Sequence, residues 1–256
     1  MNKIGIFIPV YFREDQVKKS LLSLLKTNTH ELNVTIHIGI NGATKTTLDF
    51  LKEYKNTFFP TSTFNGLFFY NYNKNIGKAK IINSMVNKQN IDYVVSYDSD
   101  IEVVDINWLH KFLYILKEYN TNNNGELAAL CGNFIGNNVH IADIVGRKSR
   151  KINKKYTIVT TNNNKGVAGG VLITYKKIWD YIGGYKADKI FGSDDGDFMI
   201  SCNKIGKIVA YVEEIKFYHP NDDEEYHVWK VKACENKLSD DELNGFYEKY
   251  RKYENI

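Results

Sequence analysis

The chain has few of the residues that staple or interrupt a fold. Three cysteines and three prolines stand among 256 residues. Cys131, Cys202 and Cys234 are scattered without paired spacing, which argues against a zinc site and points to a reducing compartment. No apolar run approaches the length needed to span a bilayer. Met1-Asn2-Lys3-Ile4 leads straight into a strand pattern, so no signal peptide is expected and the expected location is cytoplasmic. A large excess of either charge is also lacking, with 34 Lys and Arg against 30 Asp and Glu. A formal +4 permits anionic substrates but does not demand nucleic acid. What remains is ordinary for a soluble globular protein, with 43% hydrophobic and 25% charged residues. The length suits one domain, or one domain with a small appendage. Asn and Lys are abundant, which reads as a composition bias.

The rest of the chain is organised around Tyr93-Val94-Val95-Ser96-Tyr97-Asp98-Ser99-Asp100. Its apolar part reads as a strand buried on both faces. Asp98 and Asp100 cannot continue that run, so the strand must surface there. In open α/β sheets, ligands bind at the carboxyl ends of strands. Two carboxylates so placed repel each other unless a cation relieves them, and Mg²⁺ or Mn²⁺ takes oxygen ligands of this kind. A solvated turn is the alternative.

Before this stretch, strand and helix patterns alternate. Ile4–Val10 reads as a first strand, with Pro9 near its exit from the sheet. Asp15 is placed to cap a helix over Val17–Lys26. Asn33–Ile40 is a second strand ending at Asn41-Gly42, and Thr46–Tyr54 a helix. Leu67–Tyr70 is a third strand. Gly77 then opens a helix whose free N–H groups, with Lys78, could favour an anion; surface lysine on a capped helix is the alternative. Trp108, Leu109, Phe112, Leu113 and Leu116 give a further helix. Four such alternations imply a mainly parallel, doubly wound sheet.

The second half is less regular. Asn120–Asn124 reads as a turn and Leu127–Phe134 as a core strand. The basic run Arg147–Lys155 reads as a solvated loop, or as one touching an anionic acceptor or a membrane surface. Gly166, Gly169 and Gly170 precede the strand Val171–Ile173, and Gly183-Gly184 stops a short helix. Asp194-Asp195-Gly196-Asp197 opens another helix, with more carboxylates than capping requires. After the strand Ile208–Val212 comes His219, a metal ligand or an ordinary hydrogen-bonded histidine. Glu224–Tyr253 reads as amphipathic helices that cover an edge, contact a membrane peripherally or pair two subunits.

Taken in order, residues 4 to 220 resemble the family 2 glycosyltransferases of the GT-A fold. Ile8-Pro9-Val10-Tyr11 with Arg13-Glu14-Asp15 resembles the opening strand and turn, which places Pro9, Tyr11 and Arg13 on the donor side. Asn41-Gly42-Ala43-Thr44 stands where the family has an Asp-Asp-Gly-Ser segment holding the base, with Ile40 and Asn41 replacing the acidic pair. Asn75-Ile76-Gly77-Lys78-Ala79 with Asn83 resembles the Asn-x-Gly stretch along the donor. Asp98-Ser99-Asp100 matches the Asp-x-Asp motif that holds ribose and, through Mn²⁺ or Mg²⁺, the diphosphate. Gly169-Gly170 and Ile182-Gly183-Gly184-Tyr185 resemble the acceptor-side glycine segments. Asp194-Asp195-Gly196-Asp197 resembles Glu-Asp-x-Asp, with Asp194 in the Glu position, which makes Asp195 the catalytic base. His219 falls where some relatives place a metal ligand, beside Asp100.

The resemblance implies a doubly wound, mainly parallel sheet with a small antiparallel acceptor-side portion and C-terminal helices. Residues 1–119 would form the nucleotide-sugar half, 120–221 the acceptor and catalytic half, and 222–256 a helical extension. It implies inverting transfer from a nucleotide diphosphate sugar, UDP by first preference, to an acceptor hydroxyl. The acceptor stays open, an anionic or cell-surface glycan among the choices, and so does a homodimer. Two other readings keep the same sheet. A sugar-phosphate nucleotidyltransferase would carry a Gly-rich loop after the first strand, where this chain has Tyr11-Phe12-Arg13-Glu14. A non-catalytic binding protein would hold donor without transfer.

Overall fold

Tyr93–Tyr97 forms a strand buried at every residue, and the sheet extends on both sides of it. A computed structural model describes residues 1–11, 13–136, 147–161, 169–188, 192, 194–222, 224, 228 and 232. Its elements, in chain order, are β1 (Lys3–Val10), α1 (Glu14–Leu24), β2 (Asn33–Asn41), α2 (Lys45–Thr61), β3 (Gly66–Tyr72), α3 (Lys78–Val86), β4 (Tyr93–Tyr97), β5 (Glu102–Val103), α4 (Trp108–Asn122), β6 (Leu127–Ile135), β7 (Arg147–Lys151), β8 (Thr157–Thr161), β9 (Val171–Tyr175), α5 (Lys176–Ile182), α6 (Asp194–Lys204) and β10 (Ile208–Tyr218).

The sheet order is β3-β2-β1-β4-β9-β6-β10-β8-β7, with β5 paired to β10. β3, β2, β1 and β4 are parallel neighbours. β9 runs antiparallel between β4 and β6, and β10 returns parallel to β6. Alternating side chains send the two faces of the sheet into two cores. Ile4, Ile6, Ile8 and Val95 join Leu21, Phe50, Trp108 and Phe112 of α1, α2 and α4 on one face. Phe7, Val94 and Leu172 join Ile81, Trp179 and Phe198 of α3, α5 and α6 on the other. Trp108 packs edge-on against Phe112 and Phe217 and donates its indole N–H to Thr27 Oγ1 at 3.0 Å. Burying a large apolar side chain contributes about 1.5–3 kcal/mol, and these anchors hold both halves of the chain to one sheet.

Several local expectations are corrected. Asp15 does not cap α1; it lies in the first turn, and the N-cap is Arg13, in the left-handed region at φ 68°. Asn120–Asn122 belong to α4, and the turn follows at Asn124-Gly125, both at positive φ. The start of the basic run is not a loop. Arg147–Lys151 forms β7, the outermost strand, paired antiparallel to β8. Cations on an edge strand discourage pairing with another chain. β10 is longer than expected and takes in Phe217 and Tyr218, which pair with β5. Most of the expected C-terminal helical extension, and Gly166, lie outside the described residues. Among the described residues no helix is long and apolar enough to cross a membrane.

Candidate active site

β4 ends at Tyr97, and the next backbone N–H, from Asp98, donates to the Gly170 carbonyl oxygen at 2.7 Å. That bond ties the Asp-x-Asp turn to the residue before β9. Tyr97 donates its hydroxyl to Ile101 O at 2.7 Å and so braces the same turn from below. Asp98 and Asp100 then face different cations.

Asp98 meets Lys78, at the first turn of α3, with Nζ 2.7 Å from Oδ1. The same Nζ lies 3.3 Å from Asp194 Oδ2, at the start of α6. Burial pushes the Asp98 carboxyl up to about 6, against the pull of Lys78. Burial alone would lower the Lys78 pKa, but Asp194 and Asp98 together hold it well above its ordinary value. Lys78 is therefore a bridge between the two acidic motifs, and its ammonium also stands 5.8 Å from the Tyr185 ring.

Asp100 meets Arg13. Nη1 is 3.4 Å from Asp100 Oδ2 and also 3.4 Å from Asp222 Oδ1. His219 Nε2 lies 3.9 Å from that same Asp100 oxygen. His219 Nδ1 is 2.7 Å from the Pro220 carbonyl oxygen, which can only accept. Nδ1 therefore carries a proton, which leaves Nε2 as the ring nitrogen turned to Asp100, the atom through which a metal would be bound. Carboxylate and imidazole donors at this spot fit Mn²⁺, and fit Mg²⁺ less well because of the nitrogen. Among the described residues no three His, Cys, Asp or Glu side chains are drawn together closely enough to enclose an ion; the guanidinium of Arg13 lies among these.

Asp195 is held on two sides. Its Oδ2 accepts the Gly169 N–H at 2.9 Å and its Oδ1 the Gly196 N–H at 2.8 Å. A Cβ on Gly169 would overlap Asp195 Cβ and Oδ2, so only glycine lets the strand approach this closely. Asp194, Asp195 and Asp197 all lie in the first turn of α6, where the helix dipole favours negative charge.

The Asn41 amide serves the loop before α3. Its Nδ2 donates to Asn75 Oδ1 at 2.6 Å, and its Oδ1 accepts the Ile76 N–H at 2.8 Å. Asn75 Oδ1 also accepts the Gly77 N–H at 3.0 Å, setting the entry to α3. Pro9 pairs with Gly39 beyond the part of β1 that pairs with β4, so its missing N–H breaks no bond to that strand. Tyr11 and Ser99 are half-buried, just past β1 and between the two aspartates.

Two residues in this cluster make contacts that the sequence does not signal. Asn83 latches α3 to the second half, donating to Tyr185 O at 2.7 Å and accepting the Tyr185 N–H at 3.0 Å. A Cβ on Gly184 would strike its amide. Asp222, within an acidic run, turns back after Pro220 to reach Arg13; nothing local signals that return.

Compared as a structure, the chain is similar to the mannosyltransferase PcManGT from Pyrobaculum calidifontis in complex with GDP-Man and Mn²⁺. The TM-score is 0.66 and the identity 13%, over 91% of this chain and 61% of that one. It is similar to S. aureus TarS 1-349 in complex with UDP-GlcNAc, with TM-score 0.64 and 14% identity, over 87% and 59% of the two chains. It is also similar to GalNAc-T7 with UDP, GalNAc and Mn²⁺, at TM-score 0.65 and 11% identity, over 88% and 45%. The chain thus spans about three fifths or less of these proteins. Among curated protein sequences none matches. The shared architecture is the GT-A fold. Residues 5–178 match the model of glycosyl transferase family 2, and the chain belongs to that family.

Proposed function

We propose that this chain is a metal-dependent, inverting transferase that moves a sugar from a nucleotide diphosphate sugar, UDP-linked by first preference, to an acceptor hydroxyl. The observation that carries this is the meeting of the two acidic motifs: Lys78 bridges Asp98 to Asp194, and Gly170 holds the Asp98–Asp100 turn next to Gly169, whose N–H binds Asp195. The named ligands of PcManGT and GalNAc-T7, a nucleotide with Mn²⁺, support it by likeness of fold.

Asp100 and His219 would hold Mn²⁺ or Mg²⁺, which would neutralise charge on the diphosphate as the sugar leaves. Pro9, Tyr11, Arg13, Asn75, Lys78, Asp98 and Ser99 would line the donor side. Asn41 would act there by fixing the 75–77 loop. Gly169, Gly170, Asp194 and Asp197 would line the acceptor side. Asp195 would take the proton from the acceptor oxygen as it attacks. Both its oxygens are oriented by backbone N–H groups, so little reorganisation is needed at the moment of transfer. Asp195 acting as a base rather than as a covalent nucleophile would give a single displacement with inversion. The acceptor hydroxyl would belong to an anionic or cell-surface glycan.

The test is release of free nucleotide from UDP-, GDP-, TDP- and CMP-sugars, with and without Mn²⁺, beside Asp100→Asn. We expect slow hydrolysis of one donor that needs both the metal and Asp100. No release, together with no metal-dependent nucleotide binding by titration, would overturn the reading. Formation of nucleotide sugar from a nucleoside triphosphate and a sugar phosphate would assign a nucleotidyltransferase instead.

A further inference from the structure

Arg13, Asp100 and Asp222 come from the ends of three strands, β1, β4 and β10, and meet at one nitrogen. Arg13 Nη1 lies 3.4 Å from a carboxylate oxygen of each aspartate. Both distances are long for a charge-assisted bond, and the one nitrogen is shared between two carboxylates. The Asp222 side chain is 6% exposed, so its charge is costly without a cation nearby. Arg13 supplies that cation from a left-handed backbone conformation that is unusual for a residue with a side chain. His219 Nε2 faces the same Asp100 oxygen at 3.9 Å. Asp98 and Asp194 do not share this arrangement, because Lys78 serves them.

We propose that Asp222 is a third protein ligand of the cation site formed by Asp100 and His219, and that Arg13 is the site's built-in occupant when no metal is bound. A divalent cation then enters only by displacing the guanidinium. The carboxylates stand apart around Arg13 and close on the smaller ion when it leaves. Cation binding is consequently weak in the chain alone, and the donor's phosphates favour the exchange, since they attract both the ion and the displaced guanidinium. The inference rests on the cation reading of Asp100 and His219 given above.

The test uses the full chain with Mn²⁺ alone, without nucleotide, and follows free Mn²⁺ by electron paramagnetic resonance. Arg13→Gln is expected to tighten Mn²⁺ binding on the order of tenfold, because a like charge leaves the site. Asp222→Asn is expected to weaken it on the order of tenfold. If Arg13→Gln binds no more tightly than the parent, or Asp222→Asn no more weakly, the proposal is overturned. Asp100→Asn separates the two levels. Loss of binding there with no effect of Arg13→Gln overturns only the displacement, whereas unchanged binding overturns the cation reading itself. A crystal of the parent chain grown with Mn²⁺ covers variants that do not fold. We expect Asp222 on the ion and Arg13 withdrawn; an ion bound with Arg13 still between the two carboxylates contradicts the proposal.

Discussion

Lys78 Nζ stands 2.7 Å from Asp98 Oδ1, and through that contact helix α3 holds the end of β4. The same ammonium reaches Asp194, so one half-buried cation balances the two acidic motifs of the site. Both carboxylates keep part of their surface in solvent, which moderates the cost of losing it. Lys78→Met should lower stability by about 2–3 kcal/mol at pH 7, because it leaves two carboxylates without their partner. Urea denaturation checks this; an unchanged midpoint would mean that the bridge contributes nothing to the fold.

Gly169 has no room for a side chain beside Asp195. Gly169→Ala should therefore move the Asp195 carboxylate while leaving the donor side intact. A displacement of about 1 Å at a reacting group costs on the order of a hundredfold in rate. We expect turnover to fall by that order while nucleotide affinity stays within about twofold. Paired measurements of nucleotide binding and nucleotide release decide it; equal loss of both would show that the glycine serves the fold rather than Asp195.

Much of the first half of this fold is legible in the sequence. Apolar strands alternate with amphipathic helices from Ile4 to Leu116, and each becomes an element, the strands feeding both cores and each helix one of them. The edge hairpin is not legible. Arg147–Lys151 has no apolar alternation, and its pairing partner β8 is set by contact with β10 rather than by its own pattern. Within the site, the acidic motifs announce themselves, but their pairing with cations does not. Lys78 reads as an anion-favouring lysine at a helix start or as a surface lysine, and only the fold brings Asp98 and Asp194 to it. Asn41 reads as a replacement for an acidic base-reader. The structure shows both ends of its amide bonded to the 75–76 loop, a role that depends on β2 and β3 being neighbours.

His37 offers a test of the sheet apart from any substrate. Its ring is stacked on both faces, between Phe7 at 4.8 Å and Phe68 at 5.1 Å. Burial lowers its pKa from 6.5 to about 4. Above pH 6.5 the ring is neutral in both folded and unfolded chains. As pH falls from 6.5 to 4, the unfolded chain takes up a proton that the folded chain refuses, so stability is lost across that window. The loss from this group approaches roughly 3 kcal/mol. His37→Phe should remove that part of the pH dependence, read as the difference between parent and variant denaturation midpoints at pH 7.5 and 4.5. A parallel decline in both proteins would show that other groups carry it.

Asp195 as the base is the central claim, and Asp195→Asn tests it most directly. Donor binding and slow nucleotide release would be measured side by side in parent and variant, with Mn²⁺ present. We expect the variant to bind the donor as the parent does and to release nucleotide at least about a hundredfold more slowly. Release at the parent rate by a folded Asp195→Asn protein would contradict the assignment and move the base elsewhere in the site.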